Sequence, residues 1–133
     1  MRRMIILVIC LFLMPFAYAG GVVEGNIKLD PKLAKNAKPE DVVFVFARAA
    51  QGPRMPLAVL RTRVKELPLK YRLDETMAMQ PGMDLSHFDQ VVVVARISLT
   101  GDALPQKGDL QGTSKTITVG KEKADITIDT VVP

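Results

Sequence analysis

This sequence is poor in the residues that most catalytic and redox sites require. Its 133 residues include one histidine, one cysteine and no tryptophan. The cysteine, Cys10, lies in an apolar segment near the start. A chain whose remaining length has no cysteine cannot use disulfides, thiolate metal ligands or thiol redox chemistry, so its stability must come from an apolar core. There is no Gly-x-Ser-x-Gly elbow and no glycine-rich phosphate loop. Ser98 and Ser114 have no neighbouring base, Ser86 merely precedes His87, and Asp74-Glu75 would point to opposite faces of a strand. No enzyme is expected. The formal net charge is +4, two units of which are Arg2 and Arg3, and the remaining basic residues are scattered, which excludes a nucleic-acid footprint. No internal repeat or low-complexity segment is present.

The first residues read as an export signal. Arg2 and Arg3 precede an apolar core from Ile5 to Met14, and Ala17-Tyr18-Ala19 supplies a small-x-small cleavage pattern before Gly20. The apolar run falls short of the roughly twenty residues a spanning helix needs, and Pro15 would interrupt a longer one. An uncleaved anchor is the alternative. Lipidation of Cys10 is disfavoured because Leu7-Val8-Ile9 precede it where a lipoprotein site has a small residue. Residues 1–19 are therefore assigned to a signal peptide and 20–133 to one exported domain, with no membrane insertion expected after cleavage.

Gly20 to Pro133 is long enough to bury roughly two-thirds of its extended surface. It reads as short strands separated by Pro, Gly and Asp. Val22 to Leu29 is the first. Asp30 then caps a short helical turn over Lys32 to Ala37, with Pro31 at its first position. Val42 to Ala49 follows the turn Pro39-Glu40-Asp41. Val43, Val45 and Ala47 share one face of it, and Val42, Phe44, Phe46 and Arg48 the other. Because both faces are largely apolar, this predicts a central strand covered on both sides. Further strands are expected at Leu57–Val64, where Arg61 and Arg63 project together, at Leu69–Asp74 and at Val91–Leu99. Ala103 to Thr113 reads as the longest irregular connection. Thr116–Val119 and Ala124–Val132 read as a hairpin across Gly120-Lys121-Glu122-Lys123. About seven strands without a long amphipathic helix predict an all-β, immunoglobulin-like β-sandwich. A cupredoxin-like sandwich and a small barrel fit the same pattern.

Two phrases are candidates for binding. Gly52-Pro53-Arg54-Met55-Pro56 is a stiff connector that presents one cation and one flexible apolar side chain; two prolines lower the entropy cost of holding a recognition loop, though they also end strands cleanly. Leu73-Asp74-Glu75-Thr76-Met77-Ala78-Met79-Gln80-Pro81-Gly82-Met83 is the second. Thioether and imidazole ligands suit copper(I), so Met77, Met79, Met83 and His87 form an alternative metal set. The competing account makes Met77 and Met79 fillers at the rim of the core. Arg48, among phenylalanines, is either a carboxylate-binding or ring-stacking residue or the partner of Asp41, Asp89 or Asp129. Arg96 carries the same ambiguity. The expected partner-binding residues are Arg48, Arg54, Met55, Met77 and Met79.

Several phrases carry a family resemblance: Val43-Phe44-Val45-Phe46-Ala47-Arg48-Ala49, Gly52-Pro53-Arg54-Met55-Pro56-Leu57-Ala58-Val59, Leu73 to Met79, Pro105-Gln106-Lys107-Gly108-Asp109-Leu110-Gln111-Gly112, and the ending Ile128-Asp129-Thr130-Val131-Val132-Pro133. In order, they resemble the C-terminal periplasmic domain of the c-type cytochrome biogenesis family CcmI, also called CycH, from about Val22 to Pro133. The resemblance implies an immunoglobulin-like sandwich in the periplasm of a Gram-negative bacterium. It also implies an accessory role in cytochrome c maturation, with apocytochrome c or maturation components as protein partners. The family's membrane helices and TPR-type repeats have no counterpart in this sequence, so the repeats' chaperone activity does not carry over. No Cys-x-x-Cys-His haem motif is present, and no cofactor is expected.

Overall fold

Alternation of buried and exposed side chains along short runs of β-branched residues builds two sheets that face each other. The computed structural model describes residues 21–52 and 54–133; the leader assignment, Cys10 and Pro53 lie outside them. The smaller sheet has the order β4-β1-β8, formed by β1 (Val22–Leu29), β4 (Leu69–Asp74) and β8 (Ile126–Ile128). The larger has the order β3-β2-β5-β6-β9, from β2 (Val42–Ala49), β3 (Ala58–Arg63), β5 (Gln90–Ser98), β6 (Leu110–Thr113) and β9 (Thr130–Val131); β7 (Ile117–Thr118) also pairs with β5. Val23, Ile27, Tyr71, Leu73, Ile126 and Ile128 from the small sheet meet Val43, Val45, Ala47, Val91, Val93 and Ile97 from the large one, all nearly sealed from solvent. The immunoglobulin-like sandwich expected from the strand pattern is what forms.

β1 and the short turn after it follow the sequence reading closely. Asp30 caps a 3-10 turn over Pro31–Asn36, accepting the Lys32 N–H at 3.0 Å. Beyond that, four expectations are corrected. β2 is central, paired with β3 and β5, but only its Val43-Val45-Ala47-Ala49 face is buried; Val42, Phe44 and Phe46 are half-buried and Arg48 is exposed. Among the described residues no second sheet covers that face of β2. Instead Arg61 on β3 and Arg96 on β5, which flank Phe44 in register, place their guanidinium carbons 5.6 and 5.8 Å from its ring centre.

The supposed hairpin between β7 and β8 does not exist. β7 pairs with β5 in the large sheet, whereas β8 lies parallel to β1 in the small one. The reach Ala124–Val132 is likewise not one strand: β8 ends at Ile128, and β9 crosses to pair with β6. Burying Ile126 and Ile128 between the layers requires β8 to join β1. The crossing back is possible because β6 carries Gly112, where a Cβ would run into the Thr127 carbonyl. Gly25 on β1 allows the same close approach to the Ala124 carbonyl. Finally, the end of the supposedly irregular Ala103–Thr113 is β6, and the residues before it fold over β5. There they bury Arg96 beside Asp109, which resolves the ambiguity at Arg96 in favour of a structural ion pair.

Candidate functional site

The strand register places both binding phrases at one end of the sandwich. Ala49 faces Val91, the Ala50 N–H reaches the Gln90 carbonyl at 3.0 Å, and the Leu57 N–H returns to the Ala47 carbonyl at 2.7 Å. The β2–β3 connector therefore emerges beside the start of β5. β4 ends at Asp74 opposite Val22, so residues 75–89, which link β4 to β5, span the same end. The turn after β7 joins them: the Val119 N–H bonds the Asp89 carbonyl at 2.8 Å and the Gly120 N–H the Val22 carbonyl at 3.0 Å.

On the connector, Gly52 adopts φ 120, a left-handed conformation that a side chain would strain. Arg54 and Met55 are exposed. Arg48, one turn of strand earlier, is exposed as well, and among the described residues it forms no ion pair with Asp41, Asp89, Asp129 or any other acid.

The β4–β5 loop is held rigid by two aspartates. Asp74 caps a 3-10 turn over Glu75–Met77, accepting the Thr76 N–H at 2.9 Å and the Thr76 hydroxyl, with Arg72 at 3.0 Å. The Thr76 hydroxyl bond holds this carboxyl below the usual carboxylate range, helped by the Thr76 N–H and the Arg72 charge. Asp84 repeats the device over Leu85–His87 with Ser86, and that serine's hydroxyl, followed by His87, depresses its pKa in the same way. An Asp two positions before Ser or Thr is the local signal for such a turn, and it was readable in Asp74-Glu75-Thr76 and Asp84-Leu85-Ser86.

Asp84, Ser86 and His87 have the composition of a hydrolytic triad without its geometry. The Ser86 hydroxyl lies 3.2 Å and the Asp84 carboxylate 3.0 Å from the same imidazole atom, Nδ1. A general base must take the serine proton on one ring nitrogen while the acid orients the other. This cluster is a turn cap.

Of the four proposed metal-ligand residues, Met77 and Met83 are half-buried against the core, Met79 is 65% exposed, and His87 is engaged through Nδ1 with Asp84. Pro81-Gly82 does fold the loop back, with Gly82 at φ 81 and the Met83 N–H bonded to the Gln80 carbonyl at 3.2 Å. Met77 and Met83 thus take the filler role that flexible thioethers often play.

The recess at this end is lined by residues the sequence did not single out. A cleft of about 610 Å³ lies between residues 84–89 and the turn 119–123, with Leu85, Phe88 and Val119 as its apolar wall and Glu24, Arg72 and Lys121 at its margin. Gly21 permits it: a Cβ there would stand 2.6 Å from both the Leu85 carbonyl oxygen and a Val119 methyl. Nothing in the spacing of these residues signals a cleft, because they come from four separate segments.

Comparison with known proteins gives a consistent picture. The family model of the cytochrome c-type biogenesis protein H Ig-like domain matches residues 23–129. The chain is 40% identical over 114 residues to the cytochrome c-type biogenesis protein CycH of Pseudomonas aeruginosa (strain PAO1), in a match covering 85% of this chain and 28% of that protein. The chain therefore spans a little over a quarter of the length of the curated relative. No solved structure matches it.

Proposed function

Because the chain belongs to the family of cytochrome c-type biogenesis protein H Ig-like domains, we propose that it is a non-enzymatic, periplasmic protein-binding module serving cytochrome c maturation, with apocytochrome c or a maturation component as its partner. The observation that carries the reading is that Arg48, Arg54, Met55, Met79 and the half-buried Met77 all lie at one end of the sandwich, three of them on or beside the β2–β3 connector. Arginine and methionine are enriched in protein interfaces, and a loop already fixed in shape loses little entropy on docking. The two Asp-capped turns fix the neighbouring loop, and the cleft beside Leu85 and Phe88 offers a pocket for an apolar anchor.

The test is capture of purified apocytochrome c and of individual maturation components by the chain carrying Arg54→Ala with Met55→Ala. Both side chains are exposed, so the double variant keeps its thermal midpoint while capture weakens. Full capture by the folded double variant would overturn the assignment of this end as the binding surface.

A further inference from the structure

The opposite end of the sandwich carries a different surface. There β1 finishes at Leu29, β3 at Arg63, and β4 starts at Leu69. Between the 3-10 turns Pro31–Asn36 and Val64–Glu66 lies a groove of about 560 Å³, lined by Leu29, Ala34, Ala37, Val64, Leu67 and Pro68, with Lys28 and Lys65 at its margins. Its walls are fixed, since Leu29, Ala37, Val64 and Leu67 all pack on the core.

The short helix that contributes Ala34 to the groove also carries cations. A 3-10 helix completes a turn in about three residues, so Lys32 and Lys35 stack on one side of it. Lys38 follows beyond the helix end, where Ala37 turns extended, and all three are exposed. The acids nearby are fewer: Asp30, Glu40 and Asp41 hold defined partners, and Glu66, exposed on the second turn, forms no ion pair among the described residues. Asp30 and Asp41 accept the backbone N–H groups of Lys32 and Lys38 at 3.0 and 2.8 Å, and Glu40 is shared between Arg63 at 3.1 Å and Lys65 at 3.4 Å. Among the described residues, Lys28, Lys32, Lys35 and Lys38 form no ion pair.

An apolar groove in a region where unpaired lysines outnumber unpaired acids selects its occupant by charge. We infer that this end docks an acidic protein segment whose apolar side chains enter the groove while its carboxylates meet Lys28 and the exposed lysines of the neighbouring helix. A bilayer fits the geometry less well. The branched groove side chains, Leu29, Val64 and Leu67, are half-buried rather than projecting, and the protruding Leu104 of this end is carried on the β5–β6 connection. With the loop end bound to a different protein, the domain would bridge two partners from opposite poles.

The experiment is an NMR titration of the isotope-labelled chain with a short synthetic peptide of alternating leucine and glutamate pairs. Controls are the matching leucine–lysine peptide and vesicles of phosphatidylglycerol or phosphatidylcholine. The leucine–glutamate peptide is expected to shift the amides of Ala34, Ala37, Val64 and Leu67 in a saturable, salt-sensitive way. Lys32→Glu, Lys35→Glu and Lys38→Glu together, all at exposed positions, should raise the dissociation constant by about tenfold or more. Arg54→Ala with Met55→Ala should leave it unchanged, which separates this surface from the loop end. Absent or scattered shifts, equal binding of the leucine–lysine peptide, undiminished binding by the folded charge-reversed variant, or a response to phosphatidylglycerol vesicles without one to the peptide would each overturn the inference.

Discussion

Arg96 Nε stands 3.6 Å from Asp109 Oδ2, and neither side chain exposes more than 3% of its surface. The pair ties the segment after β5 to the outer side of the large sheet. Asp109 also accepts the Leu99 N–H at 3.1 Å and the Gln106 N–H at 2.9 Å, while an Arg96 terminal nitrogen donates to the Ala103 carbonyl. Arg96 Nε has no hydrogen-bond partner. Burial pulls the guanidinium's pKa down, and the Asp109 charge opposes that pull. One carboxylate thus neutralises a buried cation and closes a loop.

Removing the carboxylate should therefore hurt more than removing the cation. Asp109→Ala leaves an uncompensated buried charge and two unpaired N–H groups, at a cost of about 3–5 kcal/mol. Arg96→Met takes away the cation while Asp109 keeps its two backbone donors, so its cost should be clearly smaller. Urea unfolding of both variants measures the difference. Equal destabilisation would mean that the charge pair lost in both variants, not the loop bonds of Asp109, sets the cost.

Tyr71 makes stability sensitive to alkali. Its hydroxyl donates to the Ala124 carbonyl at 2.5 Å. Burial, followed by the charge of Asp125, pushes the phenol well above its ordinary value, which is about 10. The raised folded-state pKa means that the stabilisation is complete below the unfolded value and is lost as pH rises above it, where only the unfolded phenol ionises. Thermal midpoints should fall above about pH 10, and in Tyr71→Phe that alkaline decline should be reduced from a lower starting stability. An unchanged decline in the phenylalanine variant would locate the effect elsewhere.

Gly112→Ala should destabilise the fold by about 1–3 kcal/mol or more, because the new methyl meets the Thr127 backbone rather than a yielding side chain. Gly108→Ala is the contrasting substitution. That glycine has φ 94 but open space around it, so its cost comes from backbone strain alone. Chemical denaturation of the two separates crowding at the β6–β8 crossing from loop strain.

Copper(I) titration against a competing chelator addresses the thioethers. With Met77 and Met83 packed on the core and Met79 exposed, the expected result is no tight uptake. Met77→Leu with Met79→Leu should then leave the titration unchanged. Tight uptake abolished by that pair of substitutions would establish a carrier instead.

How much was readable in advance differed from element to element. β1 matches its reading because strand alternation and the Asp30-Pro31 stop are both local. The face pattern of β2 was also readable, but its outer face looked like a second core. The sequence does not reveal that Arg61 and Arg96, far apart in the chain, would flank Phe44 from the two neighbouring strands. Ile126, Ile128 and Thr130 alternate without a break, so nothing local shows the change of sheet at Asp129. For the candidate site, the connector and the methionine loop were each visible as phrases, whereas their shared pole, the cleft and the lysine-edged groove were not.

By itself the sequence determined the material of this protein. It specified an all-β chain with short strands and sharp stops, and a set of phrases that belong to one domain family. These follow from local chemistry: β-branched alternation, proline and glycine punctuation, and the absence of reactive side chains. The tertiary structure decided which strands became neighbours. That choice depended on burying Ile126 and Ile128 between the sheets, on backbones that can touch at Gly25 and Gly112, and on a carboxylate finding Arg96 across a loop. Each is a contact between distant residues, set by the competition of whole arrangements for the same core.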